Sequence, residues 1–396
     1  MTAPASRVRR RPRTPGRLLP LFLATALLLP VAFLVVQAYR GVDADREVLE
    51  RERLGVEYIR ALGPVTEALV DAQSAAVTGQ PAPRERLDQA VESAAAVDAR
   101  IGGELSTSER WAGLRAKLEA LPERSLTNPE AAFSAYGEVT DLLLSLHGKV
   151  RETSGLIRDS GADSYFLQDG VGEEMPEAMV AAGRLADMAV LIERRPAADR
   201  ARSLGELSTL RFAALQPAND LVNNLQSAVD SSTSTELGAS VLAPFDVYQQ
   251  AVGAMAAAAQ PASGTDTVDA ARLATAREQA QEAAIQLQPV ILDEIDRLLL
   301  DRIDQLDREN LRILGAGATV GLLLTLLAAS GWLFPRRAGV PGGAGESPTS
   351  AKPEPTPPTG RLEPTPDRPT NEQLPALQAA GQGREPDRWR PFDAAR

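Results

Sequence analysis

The sequence predicts an all-α protein: an elongated up-down helical bundle in two stacked modules, continuous with two transmembrane helices. Three observations carry this expectation. Two uncharged runs of 22 residues, Leu18–Tyr39 and Ile313–Phe334, bracket the long middle of the chain. That middle keeps apolar residues three, four or seven positions apart, the spacing of one helix face, and has no alternating strand pattern of useful length. Its residues are rich in Ala and Leu while aromatics make up only 4% of the chain, the reverse of the bias of β-sheets.

Arg7, Arg9, Arg10, Arg11, Arg13 and Arg17 precede the first uncharged run. At about 1.5 Å per residue that run reaches roughly 33 Å, enough to cross a bilayer. A cleaved signal peptide has a shorter apolar core, usually about 7–15 residues, so a retained anchor is expected. The second run is followed by Arg336 and Arg337. Residues 1–40 hold seven Arg and no acid, whereas residues 41–310 hold 45 acidic against 25 basic residues. Cytoplasmic flanks carry the excess of Arg and Lys, so both termini are expected in the cytoplasm and the acidic middle outside. The resulting organisation is a basic N-terminus over 1–17, spans at 18–39 and 313–334, a helical domain over 40–312, and a tail over 335–396. An acidic domain lacks the positive face that nucleic acid requires.

Within 40–312 the helices are punctuated by turn chemistry. The first span continues as a helix to Thr78, with Val48, Leu62, Val65, Leu69 and Ala72 on one face and an interruption expected at Gly63-Pro64. Gly79 to Pro83 is a turn cluster, with Pro83 suited to open the next helix toward Leu105. Ser106 or Thr107 is expected to cap a segment through Leu121. Asn128-Pro129-Glu130 combines a capping side chain, a proline at the first helical position and an acid in the first turn, so it opens a helix running to about Leu156. Further helices are expected over 163–193, 198–230 and 235–259. A final one covers Thr267–Phe334 and carries Leu292, Ile295, Leu299, Ile303, Leu306 and Ile313 along one face. A single four-helix bundle of this content would need helices of about 60 residues, close to 90 Å each, so two stacked bundles are expected. The tail, 335–396, holds 13 of the 29 prolines and few apolar residues, a composition expected to stay disordered. Its Pro355–Pro358 and Pro366–Pro369 spacings match polyproline ligands, although a solvated linker is the more ordinary reading.

The chain has no cysteine and a single histidine, His147. Disulfides and thiolate metal sites are therefore excluded, and transition-metal sites nearly so. No phosphate-binding loop or nucleophile elbow is present, so neither an enzyme nor a cofactor is expected. His147 ends an apolar helix stretch and reads as a packed side chain.

The one distinctive motif spans 157–192: Ile-Arg-Asp-Ser-Gly-Ala-Asp-Ser-Tyr-Phe-Leu-Gln-Asp, then Met175-Pro176-Glu177 and Ala-Gly-Arg-Leu. Here the chain resembles the all-helical extracytoplasmic sensor regions of methyl-accepting chemotaxis receptors, sensor histidine kinases and diguanylate cyclases. Asp159, Asp163, Ser164, Tyr165, Leu167, Asp169 and Pro176 match the helix-opening pattern of that group. Arg158, Ser160, Phe166, Gln168 and Met175 depart from it. The two-span layout around a long helical loop extends the likeness to roughly residues 18–334, and it is similar to the bimodular version with two stacked bundles. The expectation is a bacterial inner-membrane, sensor-like protein that responds to a small-molecule ligand or a partner, the motif itself saying nothing of the ligand, and that forms a parallel homodimer through the 290–310 face. Such receptors continue into a HAMP linker and an output domain. Here Pro335-Arg336-Arg337 leads into the Pro-rich tail, so the signal is expected to pass to a separate partner protein. The acids of the motif read first as helix caps and the aromatics as core. The sharper expectation makes Asp159, Asp163, Tyr165 and Asp169 a pocket for a small amine or cation, with Arg158 and Arg184 offering anion contacts. The alternative is a scaffolding envelope protein that binds no small ligand.

Overall fold

The computed structural model describes residues 18–333 except 82, 122–127, 158–161, 232–234 and 262–267. The chain divides into units 1–335 and 336–396, and every described residue belongs to the first. The Pro-rich tail and the basic N-terminus thus lie outside the described residues.

Among the described residues there are α-helices and no strand. In chain order they are α1 (Leu18–Thr78), α2 (Arg84–Val97), α3 (Ser108–Ala120), α4 (Pro129–Ser154), α5 (Ala162–Asp169), α6 (Met175–Arg194), α7 (Arg200–Ser231), α8 (Thr235–Ala258) and α9 (Ala270–Leu333). Wider π-helical turns at Asp98–Gly102 and Gly170–Glu174 follow α2 and join α5 to α6.

Local chemistry accounts for most boundaries. Asn128 caps α4, its side-chain oxygen accepting from the Glu130 N–H at 3.0 Å, with Pro129 in the first turn. Gly79 (φ +79°) and Gly155 (φ +93°) end α1 and α4 in the left-handed conformation that L side chains avoid. Two expectations change. Pro64 removes one backbone donor, yet α1 runs through it, because Ile59, Leu62, Val65 and Leu69 on either side are fully buried and hold the helix in register. Thr107 precedes α3 but does not cap it. Its hydroxyl donates to Asp98 Oδ1 and the Gly102 carbonyl, both at 3.3 Å.

The two longest helices organise the rest. α1 packs along α9 and also against α2, α4 and α6, while α9 packs on α8 and α6. Leu292, Ile295, Leu299 and Ile303, the face read from the sequence, are buried in this chain's own core. Outside that face, Arg46–Asp307 (3.4 Å), Arg53–Asp296 (2.7 Å) and Arg60–Asp293 (2.8 Å) tie α1 to α9. Two apolar clusters form the interior. The larger joins α1 to α2, α3, α4, the 162–179 stretch, α7, α8 and residues 283–299 of α9. The smaller gathers Val77, Leu185, Leu191, Leu207, Met255 and Leu273, where α1 ends and α9 begins.

Each of α1 and α9 also contains a stretch long and apolar enough to cross a membrane, and those stretches are 6% and 0% buried. Phe22, Phe33, Leu322 and Leu326 stand exposed there. Uncovered apolar surface of that extent is what a bilayer would cover. The two stretches touch: a Cβ added at Gly317 would lie 2.9 Å from Val35 Cγ2.

Candidate functional site

The motif at 157–192 begins largely outside the described residues. Arg158 and Asp159 lie outside them, and Asp163 is placed only as a backbone position in α5. The remainder of α5 is partly core and partly surface. Leu167 is fully buried, and Ser164 accepts from Arg302 of α9 at 3.2 Å. Tyr165 is exposed on the α5 surface, its ring edge-on to Phe166 with centroids 5.6 Å apart.

Asp169 takes part in a polar junction between α4, α5 and α7. It accepts from Arg151 Nη2 at 2.6 Å and from Asn224 Nδ2 at 3.1 Å. Arg151 also pairs with Glu173. The guanidinium is buried, and the two carboxylates compensate its charge there. His147 lies one turn earlier, buried, with its Nε2 3.3 Å from Thr66 Oγ1. Burial and then the nearby Arg151 push its pKa down to about 3, so it stays neutral.

Arg184 goes elsewhere. It donates to the Gly137 carbonyl (2.9 Å), Thr140 Oγ1 (2.6 Å) and Asp141 Oδ1 (2.6 Å), which pins α6 to α4. Asp169 and Arg184 share no bonding partner. Arg184 does line a cleft of about 400 Å³ with Glu173, Glu174, Glu177 and Asp220, which the sequence did not single out. Burial, followed by Asp169, Asp220, Glu177 and Glu173, raises the Glu174 pKa to about 7. Glu177 is pushed up for the same reasons, burial first. The cleft has an acidic wall with one arginine. Among the described residues no group of three His, Cys, Asp or Glu is placed to hold a metal ion.

A second cleft, of about 440 Å³, opens where α1 ends, between it and α6 and α9. Asp71, Ser74, Thr78, Asp187, Arg277 and Glu278 supply its polar lining. Asp187 is only 2% exposed, and accepts from Gln73 Nε2 (2.8 Å) and Ser74 Oγ (2.7 Å). Burial raises its pKa to about 6, against the lowering effect of those two donors and of Arg277. Arg277, 5% exposed, donates through Nη1 to Asp71 Oδ1 (3.0 Å) and Gln281 Oε1 (2.6 Å), while its Nε is buried without a partner. None of these residues was a candidate from the sequence. The available signal was a lone acid, Asp187, inside Leu185-Ala186-Asp187-Met188-Ala189-Val190-Leu191, since buried acids are rare unless they are paired or functional.

Comparison with family models, with curated proteins and with solved structures returns no match. The functional reading therefore rests on the chain's own geometry and on the motif.

Proposed function

We propose that the chain is a two-pass membrane protein whose helical head is a receptor outside the bilayer, of the kind found in bacterial inner membranes. It would be non-enzymatic and pass its signal to a separate partner. One observation carries the reading: α1 and α9 each run without a break from an uncovered apolar stretch into the core of the head, packed on each other. The Arg-rich flanks and acidic head support cytoplasmic termini. The two core clusters support an up-down bundle of two stacked modules. The burial of Leu292, Ile295, Leu299 and Ile303 within one chain means that a homodimer would use a different surface of α9.

Two packed helices rooted in the bilayer can transmit by a shift of an ångström or two along their contact. From Asp71 to Tyr39 there are about 50 Å of helix, and from Arg277 to Ile313 a similar length. An event in the second cleft would thus reach the spans through rigid elements that already touch.

The test is topological. The chain has no cysteine, so single cysteines at Ser93 and at Ser6 can be labelled in intact cells with a membrane-impermeant maleimide. Labelling at Ser93 only is expected. Labelling at Ser6 with protection at Ser93 would defeat the proposal.

A further inference from the structure

We propose that the cleft between α1, α6 and α9 is a binding site for a small molecule that carries an ammonium group and, close to it, a hydrogen-bond acceptor. This rests on the receptor reading and gives that reading a place and a ligand class. Two unmet needs belong to residues that line one cavity.

The first need is at Asp187. Its carboxylate is almost wholly buried, yet its hydrogen-bond donors are the neutral side chains of Gln73 and Ser74. Among the described residues no cationic side chain lies within ion-pair distance of it. Arg277, the nearest candidate, is turned to Asp71 and Gln281. A buried anion held by neutral donors alone is costly, and a cation brought to its free lone pairs removes that cost. The second need is at Arg277 itself. Its Nε–H is buried and donates to nothing. The Nε is covered in the free structure, so an acceptor atom on a bound molecule would satisfy it by drawing the guanidinium edge toward the cavity. Asp187 and Arg277 line the same cleft of about 440 Å³, a size suited to small-molecule sites.

The wall also sets the sign of the ligand. Asp71, Asp187 and Glu278 stand against Arg277 in the wall and Arg86, which pairs with Asp71 at 3.2 Å from beside it, so a simple carboxylate would still meet an excess of negative charge. A simple alkylamine would neutralise Asp187 but leave the Arg277 Nε–H unfilled. An amine with a hydroxyl, carbonyl or carboxylate nearby meets both needs. The acidic cleft beside Glu174 has no comparable pair of buried, complementary groups and is not assigned a ligand.

The closing experiment is calorimetric titration of the full-length chain in detergent, at a pH above 7 where Asp187 is charged. Ethanolamine, glycine, propylamine and propionate are the probes, each taken to millimolar concentration. Ethanolamine or glycine is expected to bind roughly tenfold or more tightly than propylamine, with no binding of propionate. Asp187→Asn should abolish binding while melting no earlier than the wild type, which separates loss of the site from loss of the fold. The proposal is overturned if none of the amines binds, if propionate or propylamine binds as well as the others, or if Asp187→Asn binds unchanged. These outcomes are independent of the cysteine labelling. Outside labelling at Ser93 with no amine binding removes this site and leaves the membrane topology standing. Reversed labelling removes the receptor reading whatever the calorimetry gives.

Discussion

Replacing Asp187 by Asn should stabilise the protein at neutral pH, and the size of the effect follows from its burial. The carboxyl is raised from 3.8 to about 6, so ionising it in the fold costs about 3 kcal/mol at roughly 1.4 kcal/mol per pH unit. The amide that replaces it has one acceptor oxygen for the two donors Gln73 and Ser74, which takes back about 1–2 kcal/mol. It can nonetheless be accommodated. Gln73 Oε1 is buried without a partner, so a flip of that side-chain amide would present an acceptor to the new donor. The net expectation is a gain of about 1–2 kcal/mol at pH 8, or a melting midpoint higher by several degrees at roughly 2–4 °C per kcal/mol. The sign with pH is fixed by linkage. Between the unfolded value of 3.8 and the folded value near 6 the native state holds more protons than the unfolded one. The favourable contribution of protonated Asp187 is therefore present in full at low pH and lost as pH rises through that window. Wild type should lose stability relative to the variant as pH rises from about 4 to 6, the two curves crossing inside that window and running parallel above about pH 7, measured by thermal melts of the full-length chain across pH. A variant that melts earlier than wild type at pH 8 and runs parallel to it at every pH would refute this reasoning, since that result requires the charge to be compensated in the fold.

Asn128→Ala should cost about 1 kcal/mol in chemical denaturation, because the Glu130 N–H loses its acceptor at the start of α4. A double-mutant cycle on Arg53 and Asp296 should give a coupling under about 1 kcal/mol despite the 2.7 Å contact, since the side chains are 37% and 33% exposed. Arg151→Met should cost about 2–3 kcal/mol in chemical denaturation, because Asp169 and Glu173 are left without their buried cation. In carboxyl-labelled NMR, Glu174 should titrate near pH 7, and Asp220→Asn should lower its midpoint by removing one of the charges that raise it.

What the sequence made legible depended on how local the determining physics is. The Asn128-Pro129 start and the Gly79 stop are set by a few adjacent residues, and the structure has them where the spacing put them. The apolar stretches of α1 and α9 were equally plain, because a bilayer-length run without charge needs no tertiary context. Pro64 misled for the complementary reason. A proline is a local veto on helix, but the four fully buried residues around it add tertiary packing that single-residue propensity does not see. The π-helical turn at Gly170–Glu174 was missed in the same way, since the 3.6-residue pattern of the flanking helices runs almost unchanged across it.

The clefts were out of reach by a wider margin. Asp71, Asp187 and Arg277 are each separated by about ninety residues or more and meet only because α1, α6 and α9 pack together. Motif reading drew attention instead to the acids near 159–169, which lie adjacent in sequence. Of those whose side chains are described, Asp169 is engaged by Arg151 and Asn224 in joining helices. A polar residue interrupting an apolar helix face was the better guide than a cluster of polar residues at a helix start. The cluster can be satisfied by capping and by water, whereas the isolated buried charge cannot. Asp187 meets that criterion, and so does Arg277 within Leu273-Ala274-Thr275-Ala276-Arg277. Arg277, and Asp71 across the cleft, sit roughly 50 Å of helix away from the apolar stretches, at the end of the levers where a small displacement is carried along the greatest length of packed contact.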